Sequence, residues 1–374
     1  MSHSYTPGLR VTAQARVRRE RRLPLRGEVL LERGARVTPE TVVARTELPG
    51  NVQTVNLAAG LGVEPARAAE ALLVPVGSAV RKGDGIARAS TMFGLVQNRV
   101  EAPADGVIES LSPVTGQLIL REPPIPVEVN AYVAGTVAEV LPGEGVVVET
   151  EGAFLQGIFG VGGETSGPIA CAVAGPDAEL RTPDLRAEHR GCVVVGGAWV
   201  SHDTLMQARE FGVRAVVVGG FDDADLRRLL GRDLGVAITG SEEIGLTLVI
   251  TEGFGRIPMA ARTWDLLSER QGETASVSGA TQIRAGVQRP EILVPRAGGA
   301  PAPSESAEDG GLDIGSPVRV IRAPHFGRLG KVCELPAALQ PLETEALARV
   351  LVVEFADGSG RATVPRANVE RLAP

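Results

Sequence analysis

At 374 residues the chain is long enough for about two to four domains, and a hydrophobic content of 44% excludes wholesale disorder. Aromatic residues make up only 3%, so the cores must be built from Val, Leu, Ile and Ala, and a base-stacking surface is disfavoured. The formal net charge of −7 argues against nonspecific nucleic-acid binding, whose affinity comes from neutralising phosphates. Cys171, Cys192 and Cys333 are far apart and odd in number, which excludes a disulfide framework and a Cys-x-x-Cys zinc site and fits a reduced cytoplasm. No apolar run approaches the ~18 residues of a membrane helix. Positive charge is carried almost wholly by arginine, with Lys82 and Lys331 the only lysines, a habit of GC-rich bacterial genomes.

Residues 1–26 read as a basic N-terminal arm. Arg10, Arg16, Arg18, Arg19, Arg21, Arg22 and Arg26 are not followed by an apolar stretch, so this is no signal peptide. Val11, Val17, Leu23 and Leu25 alternate loosely with them. Two readings fit: an arm that contacts phosphate, or an edge strand with its arginines facing outward.

From 27 to 180 the chain is expected to be β-rich and repetitive. Gly27–Val37, Leu73–Ala87 and Val100–Ile108 each run as short strand, Gly turn and second strand. These segments resemble the barrel-sandwich hybrid of biotinyl and lipoyl carriers, a module found also in the largest subunit of bacterial RNA polymerase and in redox-driven ion pumps. A carrier presents its modified lysine at the hairpin tip between the two halves. Here Arg88–Arg99 holds no lysine, and Lys82 lies ahead of it in a turn. The resemblance therefore implies a structural or docking module without biotin or lipoate. Gly157–Gly167 contains a Gly-x-Gly, but Pro168–Val173 after it reads as a strand. A dinucleotide loop needs a helix there, so a flexible hairpin is expected.

Between 185 and 295 strands and helices alternate. Strands are expected at 192–195, 214–218, 236–238, 246–250 and 292–294, and helices at 202–211, 222–230 and 258–270, the first with Ser201 or Asp203 near its start. The pattern predicts an open, largely parallel sheet covered by helices. Ligands of such sheets gather beyond the carboxyl ends of the strands. Those ends carry Gly219, Gly220 and Asp222, then Gly240, Ser241 and Glu242, then Glu252. Such an edge could take a metal or a cation, or hold a general base. Equally, Asp222 and Ser241 are helix caps and the glycines make tight turns. Arg284 and Arg289, in the polar stretch Ser278–Pro290, could clamp an anion or lie in a solvated connection. His3, His189, His202 and His325 are not spaced for a metal, and no Gly-x-Ser-x-Gly elbow occurs.

Residues 296–311 are rich in small, Pro and acidic residues and read as a flexible linker. Gly315–Val332 then alternates through Val318 and Val320, turns at Pro324, Gly327 and Gly330, and resumes as a strand. Arg349–Phe355 and Arg361–Val364 read as a hairpin, and Asn368–Leu372 as a closing strand. This stretch, residues 312–374, resembles the KOW motif of transcription elongation factors and ribosomal proteins, a small SH3-like barrel. The resemblance implies docking on nucleic acid or on the machines that handle it. Arg319, Arg322, His325, Arg328 and Lys331 are the expected contacts, with Phe326 the one ring that could stack on a base. The alternative is a barrel that packs against protein alone.

The expected whole is a multidomain α/β and β protein, with a barrel-sandwich-like N-terminal part, an open α/β middle and an SH3-like barrel at the C-terminus. The expected function is a non-catalytic cytoplasmic scaffold, docking on RNA, DNA or a transcription or translation complex. The alternatives are a structural subunit or assembly factor of a larger enzyme complex, and a ligand-binding enzyme with its site on the α/β edge. No cofactor and no metal are expected.

Overall fold

The structure is a computed structural model and describes residues 9–91, 96–231, 239–240, 242–282, 288–296, 312–320, 324–325, 328–336, 338–341 and 347–371. Parallel strands covered on both faces are near-continuous apolar runs. Val193–Val195 and Ala215–Phe221 are buried at every position, and Thr247–Phe254 at all but the last. They run parallel, in that order, beside the second half of Glu164–Cys171. The helices His202–Phe211 and Asp223–Leu230 cover one face, where Leu205, Ala208 and Leu226 share a core with Val194, Val216 and Val218. The helix Ala261–Glu269 covers the other, with Leu266 and Leu267 against Val193, Val195 and Val217. The first helix begins as the sequence implies. Ser201 Oγ accepts the Thr204 N–H at 3.1 Å, and Gly212 ends the helix at φ 80°. Asp222 stands at the N-cap position of the second helix but makes no side-chain capping bond. The strand expected at 236–238 lies outside the described residues.

Two expectations about this region are corrected. Gly157–Gly167 is not a hairpin: Phe159–Val161 pairs with Thr247–Phe254 at the sheet edge, while Glu164–Cys171 pairs with Val193–Val195 and Thr274–Ser278. Ile158, Phe159 and Val161 are buried there, and a free two-stranded ribbon would have left them half in water. Nor does a domain boundary fall near 180. Thr274–Ser278 pairs with Glu291–Pro295, which pairs with Gly145–Gln156, so both halves share one 13-stranded sheet. Leu293 accordingly packs in one core with Val17, Val43 and Val148.

The basic N-terminal segment is a strand of that sheet rather than an arm. Val11–Arg22 runs antiparallel to Gly145–Gln156 from Val11 opposite Leu155 to Arg22 opposite Gly145. On its outer face Arg16 meets Glu151 at 2.9 Å and Arg18 meets Glu139 at 3.2 Å. On its inner face Arg19 pairs with Glu291, and Arg21 pairs with Glu164 at 2.6 Å. Arginines matched by carboxylates have little net charge to offer a phosphate. The Arg21 guanidinium also lies over the ring of Tyr132, 5.3 Å from its centroid. Tyr132 is buried with φ 70°, a left-handed backbone that a ring-bearing side chain seldom adopts, and its hydroxyl donates to Glu291 Oε1 at 3.3 Å.

Val42–Leu48 and Ile125–Asn130 pair antiparallel, with Leu48 opposite Ile125, and lead out of the body as a neck. Residues 49–124 beyond the neck form a module with its own core of Leu57, Leu61, Ile86, Ile108, Leu118 and Leu120. Its main sheet has the order 52–56, 117–121, 106–111, 79–80, and a hairpin joins 85–91 to 96–101. Two of the three sequence repeats lie here. The first, Gly27–Val37, belongs to the body, where Glu28–Val29 pairs with Val42–Leu48 and Arg36–Val37 with Gly135–Leu141.

At the C-terminus Pro317–Val320, Leu329–Glu334, Val350–Phe355, Arg361–Pro365 and Val369–Arg371 build a five-stranded antiparallel sheet around Val318, Val320, Val332, Leu351 and Val353. Among the described residues no helix is long and apolar enough to cross a membrane.

Candidate functional site at the carboxyl edge of the parallel sheet

The strands Ala215–Phe221 and Thr247–Phe254 end side by side, and their register slips between Val218 and Gly220. The chain leaving the second strand folds back across both ends. A Cβ on Gly219 would stand 2.1 Å from the Ile257 carbonyl oxygen, and one on Gly220 would stand 2.0 Å from that of Gly255. These two glycines therefore serve a close backbone approach. The edge expected to receive a ligand is roofed here by residues 255–259 of the chain itself.

Glu252 sits under that roof at 7% exposure. One carboxylate oxygen accepts the Ala260 N–H at 3.1 Å, just ahead of the helix Ala261–Glu269. The other accepts from Arg319 Nη2 at 2.7 Å. Arg319 is 0% exposed. The fold thus joins one residue expected at the α/β edge to one expected on the surface of the C-terminal module. Its burial removes Arg319 from the partner contacts read from the sequence. Val318 and Val320, on either side, fill the module's own core, so strand alternation puts Arg319 on the module's outside. There the α/β body covers it.

Of the other expected edge residues, Glu242 has a local task. Glu242 accepts the N–H of Gly240 at 2.7 Å and of Gly162 at 3.3 Å, tying two loops together. Asp222 lies one residue ahead of its helix. Ser241 and Arg284 lie outside the described residues. A polar cluster that the sequence did not announce lies beside Glu242. Thr281 Oγ1 accepts the Gly160 N–H at 2.9 Å, and Thr239 Oγ1 donates to the Gly160 carbonyl at 2.7 Å. A second feature missed from sequence is Arg256, whose guanidinium stacks 4.2 Å over the Trp199 ring and pairs with Glu179. These three residues are 57 or more positions apart in pairs with Arg256, and no local spacing signals them. Among the described residues no group of three or more His, Cys, Asp or Glu is placed to hold a metal.

On the C-terminal module Arg328 is also engaged. Its Nη2 reaches both carboxylate oxygens of Asp357 at 3.0 and 2.9 Å, and its guanidinium lies 3.6 Å over the Phe355 ring. Ser359, and then Arg328, hold the Asp357 carboxyl below the usual carboxylate range. His325 packs its ring 5.1 Å from Phe355. Lys331 is exposed, in a cross-strand row with Glu354 and Arg361. Arg322 and Phe326 lie outside the described residues. Neither a protein-family model nor a curated protein sequence matches the chain.

Proposed function

We propose that the protein is a non-catalytic, multidomain scaffold whose C-terminal KOW-like, SH3-like module docks on a protein component of a larger assembly. One observation carries this reading over an RNA-binding one. Two arginines of the KOW-like stretch are neutralised within the chain, Arg319 by Glu252 and Arg328 by Asp357. The exposed row beside them alternates in sign through Lys331, Glu354 and Arg361. Alternating charges complement a protein surface and oppose the uniform charge of a phosphate backbone. The barrel-sandwich-like insertion supplies a second surface, where exposed Val52 and Val107 flank Arg121 across the sheet. The KOW resemblance points to a transcription or translation complex as the assembly.

Affinity purification of the tagged full chain, with and without nuclease, tests this. Retention of the same partner proteins after nuclease, and their loss on Lys331→Glu with Arg361→Glu, is the expected result. Partners that vanish with nuclease, together with direct RNA binding that falls steeply with salt, would replace it with the nucleic-acid reading.

A further inference from the structure

We infer that the carboxyl edge of the parallel sheet is a guanidinium-binding site that the chain fills with its own Arg319, latching the C-terminal module onto the α/β body. The argument begins with burial. A guanidinium is rarely taken fully out of water unless a carboxylate meets it, and Arg319 is 0% exposed against Glu252 at 7%. Neither residue belongs to the other's core. Glu252 lies on the Thr247–Phe254 strand of the body, and Arg319 on Pro317–Val320 of the module.

The receiving side is built independently of the module. Glu252 is held in place from its other oxygen by the Ala260 N–H, and the backbone around it is pinned by the close approach over Gly219 and Gly220. A preset, desolvated carboxylate of this kind favours a planar cation whose N–H groups donate to it directly, which is the chemistry of a guanidinium.

The module is tied to the body by the chain between Pro295 and Pro317, rich in Gly, Ala, Pro and Ser. A tether of that length holds Arg319 near the site at an effective concentration on the order of millimolar. A modest intrinsic affinity therefore suffices to keep the latch closed, and a competing guanidinium can open it. This inference is separate from the proposed partner docking, which uses the module's Lys331, Glu354 and Arg361 row.

Hydrogen–deuterium exchange on the full chain tests it, with Arg319→Ala and Glu252→Gln as variants. Removing one partner of a buried pair should lower the docking equilibrium constant by roughly 100- to 5,000-fold. Amides of 253–261 should then exchange faster in both variants, while those of Val350–Phe355 stay protected because the module keeps its own core. Low-millimolar guanidinium chloride should restore protection of 253–261 in Arg319→Ala, and equal sodium chloride should not. Glu252→Gln should not be rescued. If Arg319→Ala unfolds the module, Glu252→Gln decides, since it leaves the module's sequence intact. Unchanged exchange at 253–261 in Glu252→Gln, or a folded Arg319→Ala that guanidinium fails to rescue, overturns the inference.

Discussion

Raising the pH through the tyrosine range should destabilise this protein in part through Tyr132, whose share one substitution isolates. The residue is 4% exposed. Burial, then the nearby carboxylates of Glu291 and Glu164, push its pKa well above the ordinary value, against a smaller opposing pull from Arg19. In the unfolded chain the same phenol ionises near pH 10. Because the folded value is the higher one, the stabilisation is complete below about pH 10 and is lost as pH climbs towards the folded value. Linkage sets the loss at about 1.4 kcal/mol by pH 11, with a limiting slope of about 1.4 kcal/mol per pH unit. Tyr132→Phe isolates the effect. It keeps the ring under Arg21 and removes only the hydroxyl that donates to Glu291, a change of about 1 kcal/mol that does not vary with pH. Burial also raises the thiols of Cys171 and Cys192, but these titrate identically in both proteins and cancel in the comparison. Urea midpoints of the two proteins, measured from about pH 8 to 11, should run parallel up to about pH 9.5 and then diverge, the wild type falling faster. Parallel curves to the top of the range would refute the reasoning, since Tyr132 would then ionise as freely folded as unfolded.

Gly219→Ala and Gly220→Ala should each cost about 1–3 kcal/mol, because the added methyl meets backbone oxygens that cannot yield cheaply; a wild-type urea midpoint in either variant sinks the close-approach argument. Replacing residues 49–124 by an Asn-Gly turn between Leu48 and Ile125, which already pair, should leave a body that unfolds cooperatively. The excised segment should fold alone on its own core, and loss of native-like circular dichroism in both pieces would contradict the module boundary. At pH 8 the buried Cys192, its pKa raised by burial and then by Glu188, should alkylate far more slowly than free cysteine, as read by peptide mass mapping; labelling at the free rate would show that the 187–192 segment opens readily.

Local signals in the sequence determined local structure. Ser201 or Asp203 marked the start of a helix at 202–211 because caps act within one turn, and the structure shows Ser201 to be the cap. The unbroken Val193–Val195 run could only be a strand covered on both faces, and the alternation around Val318 and Val320 forecast a small C-terminal sheet. The Lys-free interval at 88–99 was likewise a fact of the sequence alone. What covers each surface was decided by the tertiary structure. Arginines of the Val11–Arg22 strand look like a phosphate-binding arm until Glu291 and Glu164 arrive from far along the chain. The Gly27–Val37 repeat shares its pattern with two others yet pairs elsewhere, because a period of two specifies a strand and leaves its partner open. Arg319 shows the limit most sharply. The resemblance put it among the module's exposed contacts, and the α/β body, with Glu252 near a strand end, encloses it instead. Periodicity reports which residues share a face, and burial depends on whether another part of the chain reaches that face.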